Sequence, residues 1–478
     1  MLAAGTASPA LAQTVNIQPL FTLDGSTQFG LFGVSVAGAG DVNGDGFDDV
    51  IVGEPGDDPN GFYSGSATVF SGADGSELFA VEGQNAYDGL GYAVAGAGDV
   101  NGDGFDDVIA GSPYDSATGA YSGTVRVFSG VDGSELFAFS SGGTDDGFGY
   151  AVAGAGDANG DGFDDVVVGA PYASPNGAYS GSATVFSGSD GSVLFTVEGQ
   201  SADDGAGFAV AGAGDVNGDG FDDLIVGSPY ASPNGVYSGS VRVLSGVDGS
   251  ELFKFDGNSA DDSLGRSVAG AGDVNGDGMD DIIVGAPYAS PNGSYSGTAV
   301  VFSGADGSTL STFDGSNAFD ISGYDVSGAG DVNGDGLDDL VVSAPFSDST
   351  DLDTGSVAVY SGADGSLIRT IAGPSSGFLF GLSVSGAGDV DGNGLGDIVI
   401  GSPFAGANNI GQAIVYASEL PANTLDFNGD GSTDISDLIG FINEFFGAQA
   451  DPALDFNGDG SIDISDLVNY INDFFASP

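Results

Sequence analysis

The chain has 478 residues, of which 69 are acidic and 5 are basic, and its formal net charge is −64. It contains no cysteine and no histidine, which excludes disulfides, zinc or haem sites with the usual ligands, and histidine-based catalytic triads. Nucleic acid and anionic lipid are bound through lysine and arginine, so the charge balance excludes both partners.

Residues 1–18 form a small, apolar segment, in which Ala10-Leu11-Ala12 resembles a signal-peptide cleavage site without the usual basic n-region. The alternative is an unstructured tail. The chain has no apolar run of about 18 residues, the length needed to span a membrane. We expect a secreted or cell-surface protein with no membrane span.

A nine-residue acidic segment then recurs with a fixed period. It reads DVNGDGFDD from Asp41 and returns every 58 residues, its copies beginning at Asp99, Asp157, Asp215, Asp273, Asp331 and Asp389. Fixed periodicity indicates a repeat protein, whose units bury their apolar faces only by packing on their neighbours. The seven copies therefore predict one joint fold over residues 19–418.

Each repeat contains four short runs of β-forming residues separated by Gly, Asp, Asn and Pro clusters. We call them strand a (such as YAVAGAGDV), strand b (DDVIAGSP), strand c (GTVRVFSG) and strand d (ELFAVEG). This pattern predicts a four-stranded antiparallel meander, and seven such units fit the blades of a β-propeller. A parallel β-helix or solenoid is the alternative, although its coils are shorter.

The seventh repeat lacks strand d at the expected place. The d segments begin at 77, 135, 193, 251, 309 and 367, but residue 425 begins LDFNGDGSTD. PLFTLDG, at Pro19–Gly25, has the pattern of ELFAVEG and precedes residue 77 by one period. We predict an all-β, seven-bladed β-propeller in which the N-terminal strand completes blade 7, so that no sheet edge stays free.

The repeats resemble the FG-GAP repeats of the integrin α-subunit propeller. The FG element is present at Phe32-Gly33, Phe148-Gly149 and Phe380-Gly381, and the GAP element at Gly169-Ala170-Pro171 and Gly285-Ala286-Pro287. Departures include Leu90-Gly91, Leu264-Gly265 and Ser322-Gly323 for FG, and Gly53-Glu54-Pro55 for GAP. The resemblance covers about residues 19–418 and implies an adhesion-type propeller with calcium loops, here in every blade.

The acidic segment itself favours calcium. Oxygen donors stand at its positions 1, 3, 5, 7 (a carbonyl) and 9, with glycine at the bend, and Ca²⁺ takes six to eight oxygen ligands. Asn-Gly and Asp-Gly turns alone would not require carboxylates at positions 1, 5 and 9. Position 8, as in Asp48, binds no metal in the integrin pattern and is expected to be solvated.

The predicted ligand sets in chain order are Asp41, Asn43, Asp45, Phe47 and Asp49; Asp99, Asn101, Asp103, Phe105 and Asp107; Asp157, Asn159, Asp161, Phe163 and Asp165; Asp215, Asn217, Asp219, Phe221 and Asp223; Asp273, Asn275, Asp277, Met279 and Asp281; Asp331, Asn333, Asp335, Leu337 and Asp339; and Asp389, Asp391, Asn393, Leu395 and Asp397. The last set exchanges acid and amide at positions 3 and 5 and is still expected to bind.

After a linker at 419–424, residues 425–478 contain two loop–helix units whose loops begin 29 residues apart. Each fits a twelve-residue EF-hand-type calcium loop followed by a helix with one apolar face. Position 12 is Asp rather than Glu, and the duplication resembles type I dockerins. The predicted ligands are Asp426, Asn428, Asp430, Ser432 (carbonyl), Asp434 and Asp437, then Asp455, Asn457, Asp459, Ser461 (carbonyl), Asp463 and Asp466.

The dockerin resemblance implies docking onto a cohesin-like scaffold, with partner contacts at Ile435, Ser436, Ile464 and Ser465. A calcium-stabilised C-terminal cap would need the same ligands and is the alternative. In total we expect about nine structural Ca²⁺ ions.

Function is expected on the loops opposite the calcium loops. The b–c loops carry Tyr172, Tyr179, Tyr230, Tyr237, Tyr288 and Tyr295, and the d–a loops carry Asp203, Asp204, Asp261 and Asp262. Tyrosine suits protein or carbohydrate recognition, although these rings could instead pack between blades.

We therefore expect a secreted calcium-binding adhesion or recognition module, tethered or docked through its C-terminus, and not an enzyme. The alternatives are a structural matrix or surface component and, with less support, a polysaccharide-degrading subunit of a dockerin–cohesin assembly.

Overall fold

The computed structural model describes residues 15–348, 353–375, 377–406 and 409–420. All regular structure in this part of the chain is β, in 28 strands. The helices predicted after residue 425 lie outside it. Within the described ranges no helix could cross a membrane.

In chain order the strands are β1 (Asn16–Asp24), β2 (Val36–Gly40), β3 (Asp49–Glu54), β4 (Ser66–Phe70), β5 (Glu77–Glu82), β6 (Ala93–Gly98), β7 (Asp107–Ser112), β8 (Thr124–Phe128), β9 (Glu135–Ser140), β10 (Ala151–Gly156), β11 (Asp165–Ala170), β12 (Ser182–Phe186), β13 (Val193–Glu198), β14 (Ala209–Gly214), β15 (Asp223–Ser228), β16 (Ser240–Leu244), β17 (Glu251–Asp256), β18 (Ser267–Gly272), β19 (Asp281–Ala286), β20 (Thr298–Phe302), β21 (Thr309–Asp314), β22 (Val326–Gly330), β23 (Asp339–Ala344), β24 (Ser356–Tyr360), β25 (Leu367–Ala372), β26 (Val384–Gly388), β27 (Asp397–Ser402) and β28 (Gln412–Glu419).

These strands form seven four-stranded sheets, which we number as blades in chain order. Blades 1 to 6 each consist of four consecutive strands in the order a-b-c-d, from β2-β3-β4-β5 to β22-β23-β24-β25. Blade 7 has the order β1-β28-β27-β26. The prediction that the N-terminal strand supplies strand d of blade 7 is confirmed. This strand begins at Asn16 rather than Pro19, because Ile17 is also buried in it.

The innermost strands form a closed circle. Each strand a contacts the strand a of both neighbouring blades, and β26 contacts β2. The first glycine of the GAG motif allows this approach, since a Cβ on Gly38 would lie 2.9 Å from the carbonyl oxygen of Gly386. A Cβ on Gly96 would likewise lie 2.9 Å from the carbonyl oxygen of Gly38. The circle confirms the propeller over the open solenoid.

The core lies between blades rather than within them. Strand b is buried on both faces, and every residue of β3 is buried, which explains its continuous apolar sequence. Ile51 and Val69 of blade 1 pack in one cluster with Val94 and Val108 of blade 2. No blade could bury these residues alone, so the fold requires the complete ring.

The acidic loops connect strand a to strand b at one end of each blade. A β-bulge between Gly38 and Gly40 precedes the first loop, and Gly40 pairs with Asp49 on β3. The bulge is repeated in the other six blades. The b–c and d–a connections leave the opposite end of the strands, so the acidic loops and the tyrosine-containing loops occupy different ends of the blades.

Candidate functional site

Position 1 of each acidic loop organises the backbone around itself. Asp41 accepts hydrogen bonds at Oδ1 from the N–H groups of Gly44 (2.7 Å) and Asp45 (3.0 Å), and at Oδ2 from Gly46 N–H (2.9 Å). Asp331 makes the same three contacts in blade 6. These hydrogen bonds curl the loop backbone around the position-1 carboxylate.

Position 9 lies at the base of the loop, where strand b begins. Asp49 is fully buried, and its carboxylate accepts from Gly72 N–H (2.9 Å) and Val42 N–H (3.1 Å). The amide of Asn43, at position 3, lies 3.4 Å from the same carboxylate. Position 5 is exposed at the loop tip, where Asp45 Oδ1 accepts from Phe47 N–H (3.0 Å).

Burial gives the position-9 carboxylates strongly perturbed pKa values. Desolvation, reinforced by the carboxylates at positions 5 and 1, raises the pKa of Asp49 to about 7 and that of Asp165 to about 6. Asp107, Asp223, Asp281 and Asp339 have pKa values raised to about 6 or 7 for the same reason. In blade 7, burial and the carboxylates at positions 3 and 1 raise the pKa of Asp397 to about 7.

No side-chain cation relieves this charge in the described part of the chain. Its two ion pairs, Arg126–Glu135 and Lys254–Asp256, lie away from the acidic loops. A buried carboxylate without a counter-charge is costly. Clustered hard oxygen donors that lack a protein cation are the donor set that Ca²⁺ prefers, so the residues present fit this ion.

The loop of blade 7 brings three carboxylates together. Ligand oxygens of Asp389, Asp391 and Asp397 all lie within 4.8 Å of one another. This loop has Asp391 at position 3 and Asn393 at position 5, the reverse of the other loops, and the asparagine at position 5 has a structural reason. Asn393 Nδ2 donates to the Ser418 carbonyl (2.8 Å) where the chain leaves the propeller instead of turning into strand d, and an aspartate could not donate there.

The expectation that position 8 is solvated is wrong. Asp48 is half-buried, and its Oδ2 accepts a hydrogen bond from the backbone N–H of Asp389, in the loop of the preceding blade (2.7 Å). Asp106 accepts from Asp41 N–H in the same way (2.9 Å). We call this contact the interblade latch. It occurs at six of the seven blade junctions, through Asp48, Asp106, Asp164, Asp222, Asp280 and Asp338.

The tyrosine-containing loops meet at the other end of the blades. Tyr172, Tyr179, Tyr230 and Tyr237 are between 38% and 54% exposed and line a cavity of about 980 Å³ with Asp203. These tyrosines therefore do not simply pack between blades. Tyr288 and Tyr295 form the equivalent pair in blade 5, outside this cavity.

The predicted aspartates of the d–a loops divide into two roles. Asp203 and Asp261 have positive φ angles (66° and 65°) at the loop tip. Asp204 and Asp262 instead accept hydrogen bonds within their own loops, from Ser201 N–H (2.7 Å) and Ser259 N–H (2.8 Å). The latter two therefore help to shape the loop.

An inner row of side chains next to the cavity was not predicted from the sequence. Tyr92, Tyr150, Phe208, Arg266 and Tyr324 follow the FG glycine in consecutive blades, and their ring or guanidinium centres lie 4.6 to 5.1 Å apart. Their 58-residue spacing was the available signal. All residues assigned to the C-terminal calcium module lie outside the described residues.

Comparison with known proteins supports the same architecture. The FG-GAP repeat model matches residues 32–70, 90–128, 148–186, 206–244, 264–302, 322–360 and 380–416, one segment per blade. The chain is 32% identical over 210 residues to integrin alpha-V of Gallus gallus, covering 41% of this chain and 20% of that protein.

Two further relatives agree. Integrin alpha pat-2 of Caenorhabditis briggsae is 36% identical over 221 residues (40% of this chain, 17% of the relative), and integrin alpha-5 of Xenopus laevis is 30% identical over 224 residues (44% and 21%). The chain thus spans about a fifth of the length of these relatives. With a matched repeat in every blade of an integrin-like seven-bladed propeller, the chain belongs to the FG-GAP repeat family.

Proposed function

We propose that this protein is a secreted recognition or adhesion module whose propeller is stabilised by calcium in all seven acidic loops. The observation that carries the proposal is the set of seven fully buried position-9 aspartates, which have no cationic partner in the described part of the chain. The similarity to integrin alpha chains supports an adhesion role.

Each ion would be held by the side chains at positions 1, 3, 5 and 9 and by the carbonyl at position 7. Bound calcium neutralises the loop carboxylates, and the protein supplies the curled backbone that orients them. The donor set suits a structural ion, and we assign no catalytic step to it.

Calcium would also explain how the ring tolerates its charge. Extracellular modules bind Ca²⁺ with Kd values of about 10⁻⁴ to 10⁻³ M. At about 1 mM calcium, seven such sites would stabilise the fold by roughly 3 to 10 kcal/mol, which is comparable with the net stability of a domain. Because cytosolic calcium is far lower, this dependence supports an exported protein.

We further propose that residues 425–478 bind two more calcium ions and tether the propeller, either by docking onto a cohesin-like scaffold or as a stabilised cap. The support is the loop spacing and the repeated apolar helix face in the sequence. Ligand recognition is assigned to the end of the blades opposite the acidic loops.

Calcium titration and thermal unfolding of the full chain test the proposal. We expect about nine bound ions and a large fall in the melting temperature after chelation. Asp49→Asn should remove one ion, whereas Asp74→Asn, at an exposed turn, should remove none. A chain that binds no calcium, or whose melting temperature is unchanged by chelation, would contradict the proposal.

A further inference from the structure

The cavity at the tyrosine-containing end is built from three copies of one motif. Blades 2, 3 and 4 each contribute two tyrosines from a b–c loop: Tyr114 and Tyr121, Tyr172 and Tyr179, and Tyr230 and Tyr237. The pairs recur at 58-residue intervals, so neighbouring blades present nearly the same aromatic group side by side. The cavity volume of about 980 Å³ is at the upper end of the range for small-molecule sites.

The rings are held in place before any ligand arrives. Tyr172 and Tyr179 meet edge to face, with centroids 6.3 Å apart at 89°, and Tyr230 and Tyr237 do so at 5.8 Å and 75°. The backbone N–H of Tyr179 donates to Ser174 Oγ (3.1 Å). Fixed aromatic surfaces lose little conformational entropy on binding.

Positive φ angles occur in the loops that line the cavity, as they do at the equivalent loop tips of other blades, such as Tyr63 and Tyr295. Tyr121, Tyr179 and Tyr237 have φ angles of 50° to 55°, and Asp145 and Asp203, which also line the cavity, have 59° and 66°. Positive φ is uncommon for residues other than glycine. The side chains of these five residues all belong to the cavity lining.

The charges in and beside the cavity count against an acidic ligand. The Arg266 guanidinium lies 4.6 Å from the centroid of Phe208, and that ring contacts both Tyr150 and Tyr230 of the cavity lining. Arg266 itself does not line the cavity, whose charged lining residues are Asp145 and Asp203. The carboxylates of Asp145 and Asp203 disfavour an acidic ligand, but they can accept hydrogen bonds from hydroxyl groups.

A neutral sugar chain combines the features that this surface matches. Its rings have apolar faces that can lie on tyrosine, its hydroxyl groups can donate to carboxylates, and its repeated units correspond to the repeated tyrosine pairs. We propose that the cavity of blades 2 to 4 binds a neutral oligosaccharide. This inference rests on the proposed function and names the ligand class of its recognition surface.

The test uses the full chain in calcium on a printed array of neutral hexasaccharides, with uronic acid oligosaccharides and lysine-rich peptides as separate arms. We expect binding to neutral sugars. The double variant Tyr179→Asn and Tyr237→Asn should weaken it at least about tenfold, because two stacking surfaces are lost. Asparagine tolerates positive φ, so the loops should keep their conformation.

Two controls separate ring loss from unfolding. Tyr295→Asn changes the equivalent turn of blade 5 (φ 54°) outside the cavity and should leave binding unchanged. Tyr179→Phe with Tyr237→Phe keeps the rings and should retain most of the affinity.

Binding only to peptides or acidic sugars, no binding to the array, or equal loss in the Tyr295→Asn control would overturn the inference. Calcium titration of the same samples tests the proposed function separately. A normal calcium response without sugar binding would reject the sugar site alone, whereas a missing calcium response would reject the proposed function.

Discussion

At the scale of single residues, Glu54 in the GEP sequence of blade 1 takes the place of an aspartate that accepts a hydrogen bond in the d–a loop of other blades. In blade 2, Asp88 accepts a hydrogen bond from Asn85 N–H within the d–a loop (2.7 Å). The equivalent of Asp88 before blade 1 is Gly30. Glu54 reaches across from strand b, and its Oε1 lies 3.4 Å from Thr27 N, the equivalent donor. A side chain on Gly30 would collide with Glu54.

Because Glu54 occupies this place, the free energy of unfolding depends on pH. Burial, with a smaller contribution from Asp57, raises the pKa of Glu54 from its ordinary 4.5 to about 7. Between these values the folded state holds a proton that the unfolded chain has lost, so stability falls as the pH rises through this window. Glu54→Gln should therefore be more stable than the wild type at pH 8, by up to about 3 kcal/mol, and nearly equal at pH 4.5.

Denaturant unfolding in saturating calcium at both pH values measures this difference. Asp74→Asn is the control, because the pKa of Asp74 is lowered by its hydrogen bonds to Ser76 and its carboxylate stays ionised over the whole window. Its effect on stability should be the same at both pH values. If the effect of Glu54→Gln on stability did not change with pH, the raised pKa of Glu54 would be contradicted.

At the scale of elements, the interblade latch links neighbouring acidic loops at six of the seven blade junctions. The Asp106 carboxylate accepts from Asp41 N–H and also fills the space beside Gly40, where a Cβ would lie 2.1 Å from Asp106 Oδ2. The latch holds the backbone of position 1, a predicted calcium ligand. Packing between blades and the shape of the metal loop are therefore coupled.

Asp106→Ala should lower the free energy of unfolding by about 1 to 2 kcal/mol. A hydrogen bond to a charged group contributes about 1.5 to 3 kcal/mol, and relief of the desolvation that raises the pKa of Asp106 offsets part of the loss. Calcium affinity of the Asp41 loop should fall as well. Asp106→Asn keeps an acceptor and should stay close to the wild type in unfolding and calorimetry. Equal effects of the two variants would argue against the latch.

The junction between blades 6 and 7 explains why one latch is missing. Position 8 of blade 7 is Gly396, whose N–H donates directly to the Asp331 carbonyl (2.9 Å). A Cβ there would lie 2.1 Å from the carbonyl oxygen of Ala329. The two loops approach too closely at this junction for an aspartate side chain. The backbone contact remains, and it is shorter here than at the Asp48–Asp389 junction, where the Asp48 N–H donates to the Asp389 carbonyl at 3.2 Å.

At the scale of the whole molecule, ring closure depends on β1. Leu23 of this strand packs with Val399 and Val415 of blade 7 and with Val36 and Val50 of blade 1. Without β1, strand β28 would become a free edge, and such edges pair with other chains. The N-terminal strand therefore protects two blades at once.

A chain that begins at residue 25 should lose roughly 5 kcal/mol of stability, from about 1.5 to 3 kcal/mol for each buried apolar side chain of β1, and should self-associate. Thermal unfolding and light scattering measure the two effects. A chain that begins at residue 15 keeps β1 and is the control. A peptide of residues 15–25 should restore the shortened chain. An unchanged, monomeric shortened chain would refute this role of β1.

The sequence by itself determined the period, the four strands of each blade, the position of the acidic loops and the closure by the N-terminal segment. The strands and loops depend on turn residues and alternating side chains that lie close together in the chain, so they are visible in the residue order. The closure follows from the period, because the N-terminal segment has the strand-d pattern one period before residue 77. The donor spacing from Asp41 to Asp49 is of the same local kind.

Only the tertiary structure decided which repeats touch and through which atoms. Three contacts join segments that are separated in sequence. They are the contact of Asp48 with Asp389, that of Asn393 with Ser418, and the approach of Glu54 to Thr27, where other blades use an aspartate of the d–a loop. The tyrosine cavity likewise exists because blades 2 to 4 stand side by side. Side chains one period apart become neighbours only when burial of the strands between blades closes the ring, and a single repeat contains no information on what its neighbour presents.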